Sequence, residues 1–144
     1  MSSPEIDTLR RLHTDAVDAM NGYDEAIRDA DNHSWVTVFE EMGAFHRGAA
    51  SDLATELGRL GERPSEDGSF MSTVHRSIMK LRSLVGGLDR SVLSGVIDGE
   101  ERNLARYDEA IESGGLQTSS LAIVAKLRRD LGVAIARMRV DAIP

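Results

Sequence analysis

The pentapeptide Tyr-Asp-Glu-Ala-Ile occurs twice in this chain, at 23–27 and again 84 positions later at 107–111. Five identical residues constrain little alone, but the positions around both copies share the offset. Leu9, His13, Ala16, Met20, Tyr23 and Ile27 correspond to Leu93, Ile97, Glu100, Leu104, Tyr107 and Ile111. Both series step by three and four residues, which places their side chains on one stripe of an α-helix. Two helices with matching seams imply two related hairpins, and so a helical bundle with approximate twofold symmetry.

Punctuation along the chain completes that pattern. Ser2 and Ser3 ahead of Pro4 and Glu5 are a helix-start signal, with proline in the first turn. The first seam begins at Ile6, and Asp31-Asn32-His33-Ser34 ends the helix, with Ser34 free to cap the next one. Trp35, Val38, Met42, Phe45, Ala49, Leu53, Leu57 and Leu60 form the second seam. The polar stretch 61–68 is rich in helix breakers. A shorter helix follows over about 69–85, with Phe70, Val74, Ile78, Leu81 and Val85 on one side, and Gly86-Gly87 interrupts it. The third long helix spans about 89–112, and Gly114-Gly115 is a stop signal. Thr118, Ser119 or Ser120 can cap the last helix, whose inward side is Leu121, Val124, Leu127, Leu131, Ile135 and Met138. No segment reads as a strand.

Long, long, short, long, long is a pair of antiparallel hairpins joined by a crossover, which is expected to let the third helix run antiparallel to the second from a distance. The expected architecture is therefore all-α: a ferritin-like four-helix bundle with a short extra helix in the crossover between helices two and three. A chain of 144 residues fits this as a single domain over 1–144 and can bury a core without covalent staples.

Composition removes several function classes. The absence of cysteine excludes disulfides and thiolate metal sites. The N-terminus lacks the apolar core of a signal peptide, and no stretch approaches the roughly 20 apolar residues of a membrane span. The expectation is a soluble cytoplasmic protein with no membrane partner. A net charge of −7 argues against a nucleic-acid partner. Charge is uneven, however. From Leu121 onward, Lys126, Arg128, Arg129, Arg137 and Arg139 face only Asp130 and Asp141, a net +3 that leaves −10 for the rest. The plain reading is a solvated face; the functional one is a surface for an acidic partner or a second copy of the chain.

Two stretches carry a family resemblance. DGSFMSTVHRSIMKLR, residues 67–82, has a glycine-containing entry, the pair His75-Arg76 and an amphipathic helix; DGEERNLARYDEAI, residues 98–111, has Gly-Glu followed by Tyr and Ala. Together with Gly22-Tyr23 and Ala26 in the first helix, these resemble the bacterial ferritin-like four-helix bundles of the DUF2383 family, whose biochemical role is not established. The resemblance covers nearly the whole chain and implies the fold rather than a reaction. It makes His75, Arg76, Tyr23 and Tyr107 a structural or functional signature. The chain departs from the family pattern at Glu101, where an aspartate is expected, and at Met20, where an acid is expected just ahead of the tyrosine.

A ferritin-like bundle raises the question of a carboxylate di-iron centre. That centre wants a glutamate from each of two helices and Glu-x-x-His from each of the other two, because the three-residue step puts both ligands on one inward face. Residues Arg10, Ala30, Gly43 and Ser72 stand three positions before His13, His33, His46 and His75, so the motif is absent. The last helix has neither histidine nor glutamate, and the symmetry mate of Glu100 is Ala16. Glu100 therefore needs a nearby base or the bundle edge, since an unpaired buried charge is costly. Glu100, His13 and His46 are the residues available for a single improvised metal site; otherwise no metal and no cofactor is expected.

The other candidates have plain structural readings beside the chemical ones. His13 reads as a satisfied core histidine or as a ligand. Tyr23 and Tyr107 read as inward residues whose hydroxyls find partners. Arg76 reads as a salt bridge tying the crossover down, or as an anion contact. Trp35 and Phe39 read as core at a bundle end. With no cysteine, no Gly-x-Ser-x-Gly and no phosphate loop, no catalytic residue is assigned. The sequence thus points to a non-catalytic helical module acting through protein contacts or self-association, as a homodimer. The alternatives are a metal-binding or stress-related ferritin-like protein with a degenerate carboxylate site, and a ligand pocket bordered by Tyr23, Tyr107 and His13.

Overall fold

Ser3 closes the first turn of the first helix. Its hydroxyl accepts from the Ile6 N–H at 3.2 Å and its carbonyl from the Asp7 N–H at 3.0 Å, while Pro4 occupies a position where a missing N–H is harmless. The computed structural model describes residues 3–29, 33–63 and 90–141, with side chains throughout except at 29, 33–35, 90–92 and 141. Four helices lie within these residues: α1 Pro4–Asp29, α2 His33–Arg59, α3 Arg90–Glu112 and α4 Thr118–Asp141. The expected crossover helix over 69–85, including His75 and Arg76, lies outside the described residues, as does the side chain of Trp35.

Both glycine stop signals act through backbone conformation. Gly61 has φ 81°, and the Glu62 N–H reaches back to the Leu57 carbonyl at 2.9 Å while the Gly61 N–H reaches that of Gly58 at 3.0 Å. That double closure satisfies the last carbonyls of α2 and favours a residue without Cβ. Gly114, with φ 73°, ends α3 in the same left-handed conformation. Two helix starts differ from expectation. Ser34 lies inside α2 rather than ahead of it. Gln117 precedes α4, its carbonyl taking the first helical bond from Leu121 at 2.8 Å. Its own N–H donates to the Glu5 carboxylate at 2.6 Å, an acid placed where the helix dipole favours one.

Contacts between helices give the topology. Arg10 on α1 meets Glu62 just past α2, and Asp24 meets Arg47, so these helices are antiparallel. Asp108 meets Arg128, and Glu101 meets Arg139, which makes α3 and α4 antiparallel. Asp15 pairs with Arg106 across α1 and α3, and Glu56 with Ser120 across α2 and α4. The helices that remain diagonal, α2 and α3, run parallel, not antiparallel as expected, because each is antiparallel to α1. The end of α2 and the start of α3 are therefore at opposite ends of the bundle, and the hairpins are joined by a crossover, as in the ferritin-like topology.

The core repeats the twofold relation of the sequence. Leu9, Leu12, Ala16, Tyr23 and Ala26 are buried in α1, and the residues 84 positions on, Leu93, Val96, Glu100, Tyr107 and Ala110, are buried in α3. For the second helices the offset is 85: Phe39, Met42, His46, Ala50 and Leu53 match Val124, Leu127, Leu131, Ile135 and Met138. Each fully buried leucine in this set contributes roughly 2 kcal/mol. The seams are turned slightly from those expected. Ile6, His13, Met20 and Ile27 are only half-buried, and Val38 and Phe45 likewise, while Leu121 is exposed. Glu5, Leu12, Ala26, Phe39, His46 and Ser120 face in instead.

Candidate functional site

The polar members of these seams meet at the bundle centre and at one end. At the centre, Glu100 of α3 is 1% exposed and surrounded by donors. The Tyr23 hydroxyl of α1 donates to Glu100 Oε2 at 2.5 Å. His46 Nε2 of α2 lies 2.9 Å from Oε1 and 2.8 Å from Oε2, and Asn103 Nδ2, one turn along α3, donates to Oε1 at 2.8 Å. Burial pushes the Glu100 carboxyl up, but the hydrogen bonds and attraction of His46, with those of Asn103 and Tyr23, together hold its pKa below the usual value. Burial, reinforced by the Glu100 charge and hydrogen bond, raises the Tyr23 phenol well above the ordinary tyrosine range. The Tyr23 ring stacks nearly parallel on His46, with centroids 6.0 Å apart and planes at 14°, and Phe45 meets the imidazole edge-on at 4.9 Å. Ring packing thus fixes the donors before the carboxylate uses them.

The sequence-derived candidates divide accordingly. Glu100, His46 and Tyr23 come together. His13 does not join them. It is half-buried, its Nδ1 has no hydrogen-bond partner among the described residues, and burial lowers its pKa. The expected satisfied core histidine is therefore His46 at its Nε2, not His13. The reason is register, since Leu12 rather than His13 points inward. Tyr107 is buried near Asp15, and burial with the charges of Asp15 and Glu100 pushes its phenol up. Cavity space beside it amounts to about 10 Å³ and is lined by neither Tyr23 nor His13.

The donor set does not fit a carboxylate di-iron centre. Ala16 and Leu131, the twofold counterparts of Glu100 and His46, offer no ligand. Position 43, where Glu-x-x-His would place its acid, is glycine, and a Cβ there would stand 3.4 Å from Tyr23 Cβ. Tyr23 fills the space that a longer side chain would need. Among the described residues, no group of three or more His, Cys, Asp or Glu side chains is placed to hold a metal ion.

A second polar cluster, not anticipated from the sequence, locks one end. Glu56 of α2 is 2% exposed and accepts from Ser120 Oγ at 2.7 Å, Ser119 Oγ at 3.3 Å and Arg59 at 2.8 and 2.9 Å. The Arg59 guanidinium foremost, against the opposing effect of burial and with help from both serines, lowers its pKa to about 2. Ser119 and Ser120 thus join helices rather than cap α4.

A family model described as a domain of unknown function, DUF2383, matches residues 4–113. The chain belongs to the DUF2383 family. That match takes in α1, α2 and α3, and so every residue of the central network; α4 lies beyond it. No curated protein matches the chain. No helix among the described residues is long and apolar enough to cross a membrane.

Proposed function

We propose that this DUF2383 protein is a non-catalytic helical module that works through protein contacts, and that it self-associates as a homodimer through the outer face of α4. The observation that carries this reading is the location of the uncovered apolar surface. Among the described residues the exposed large hydrophobic side chains are Leu121, Val133 and Val140, all on α4.

Two of these belong to a regular stripe. Ala122, Ala125, Arg129, Val133, Ala136 and Val140 are all exposed and step by three and four residues. They lie opposite the buried Val124, Leu127, Leu131, Ile135 and Met138. A helix on the surface of a bundle needs one apolar stripe, and α4 has two. Small side chains let a second helix approach closely, and the valines supply apolar contact. Lys126 and Arg129 lie 3.6 and 3.8 Å from Asp130, and Arg128 and Arg139 are turned to acids of α3. These four cations are therefore already neighboured by acids, which lowers the repulsion between two copies of α4. The central network supports the non-catalytic part, because both Glu100 oxygens are taken by the protein's own donors.

Sedimentation velocity at micromolar concentration tests the reading. The unmodified protein is expected to sediment as a dimer, and Val133→Glu combined with Val140→Glu as a monomer of unchanged helicity. A strict monomer for the unmodified chain contradicts it. The competing reading, a metal-binding or stress-related ferritin-like protein with a degenerate site, draws on the His46–Glu100 pair. It requires Tyr23 and Asn103 to release the carboxylate. A bacterial, cytoplasmic setting is part of the preferred reading and rests on the family resemblance and the cysteine-free composition.

A further inference from the structure

The two ring nitrogens of His46 are in different situations. Nε2 is committed to Glu100. Nδ1 is buried, on a residue only 1% exposed, and has no hydrogen-bond partner among the described residues. A buried ring nitrogen in that state is costly. His46 also lines the cavity of about 10 Å³, together with Asp15, Ala16, Asn103, Arg106 and Tyr107. Glu100 is not part of that wall.

Twofold symmetry explains why there is space here. Ala16 is the counterpart of Glu100, and Tyr107 that of Tyr23. In one half of the centre a tyrosine meets a carboxylate. In the other a tyrosine meets a methyl group, and the cavity stands where the longer side chain would go.

We propose that this cavity is a built hydration site, in which one water molecule hydrogen-bonds to His46 Nδ1 and is held by the Asp15 carboxylate and the Tyr107 hydroxyl. Size admits a single water and excludes a polyatomic ligand. Charge selects a neutral occupant, because Asp15 is already paired with Arg106 at 3.1 Å. The wall needs an occupant that both donates and accepts: Asp15 accepts, Arg106 and the tyrosine hydroxyl donate, and a ring nitrogen does one or the other. Water does both; a metal cation or an anion does not. An open groove of about 390 Å³ between α1 and α3 shares Leu12, Asp15 and Arg106 with the cavity. The Arg106–Asp15 pair thus borders both the site and the groove. The proposal does not depend on how the chain self-associates.

Two substitutions of nearly equal volume at Ala16 test it. Ala16→Thr puts a hydroxyl where the water sits and gives Nδ1 a partner; Ala16→Val displaces the water and gives none. The valine variant is expected to melt roughly 3–10 °C below the threonine variant. Valine melting at or above threonine would show a dry apolar cavity and overturn the proposal. If neither variant folds, the unmodified protein decides. A crystal structure with one ordered water within hydrogen-bonding distance of Nδ1 supports the site, and a cavity without density overturns it.

Discussion

The two tyrosines of the repeated pentapeptide occupy equivalent places and meet opposite chemistry. Tyr23 donates to a buried carboxylate braced by His46 and Asn103. Tyr107 faces Ala16, and the helix position matching His46 is Leu131. One backbone frame therefore supports a half with a fully buried carboxylate and a half without one. A charged group is tolerated in the middle of a bundle when its donors are fixed by packing before they are used. Where that carboxylate is missing, a methyl group and a leucine stand in the same frame, and the acid nearby, Asp15, pairs with Arg106 instead.

The largest expected effect comes from breaking the carboxylate half. Glu100→Ala strips His46, Asn103 and Tyr23 of their acceptor and should cost about 3–5 kcal/mol, seen as a drop of roughly 10 °C or more in thermal denaturation. Adding His46→Leu gives these two positions the composition of their counterparts. The double variant should be more stable than Glu100→Ala alone, because it removes an orphaned polar group. A double variant that loses the sum of the two single effects would break the comparison. Next in size, Tyr23→Phe should cost roughly 1.5–3 kcal/mol, as expected for a hydrogen bond to a charged acceptor, and Tyr107→Phe about 1 kcal/mol less. Equal costs by denaturant titration would mean that the halves are alike in energy as well as in shape.

The smallest effect sharpens the contrast between the centre and the bundle end. Glu56 is buried like Glu100 but accepts from Arg59, whose own side chain is half exposed. Its folded-state pKa, about 2, is below the unfolded value of 4.5. The stability it contributes is therefore complete above pH 4.5 and is lost as the pH falls towards 2. Glu56→Gln should flatten this part of the stability profile. An unchanged slope between pH 4.5 and 2 would remove Glu56 from the account.

Much of the architecture was legible in the sequence. The repeated pentapeptide and the stepping of three and four fixed four long helices and the matching of α1 to α3. The 85-residue match of α2 to α4 was not legible, because no shared peptide marks it. The core's polar positions were missed for one physical reason. Apolar periodicity favours Ile6 over Glu5, Phe45 over His46 and Leu121 over Ser120, yet the polar neighbour is the one inside. Each is buried because a partner waits across the bundle: Glu5 with the Gln117 N–H, His46 with Glu100, and Ser120 with Glu56, separated by 112, 54 and 64 residues. Hydropathy read along one helix carries no signal for such pairs. Glu100 was visible as a charge on a seam, and His46 was visible only as a histidine without its motif.

The central claim is that the Glu100 site is closed by its own side chains and that the protein acts through its surface. Metal analysis of the purified protein, incubated with iron and then freed of excess, tests it most directly. No stoichiometric metal is expected, whether iron is supplied or not. Stoichiometric metal that disappears in Glu100→Gln, with folding retained, would contradict it.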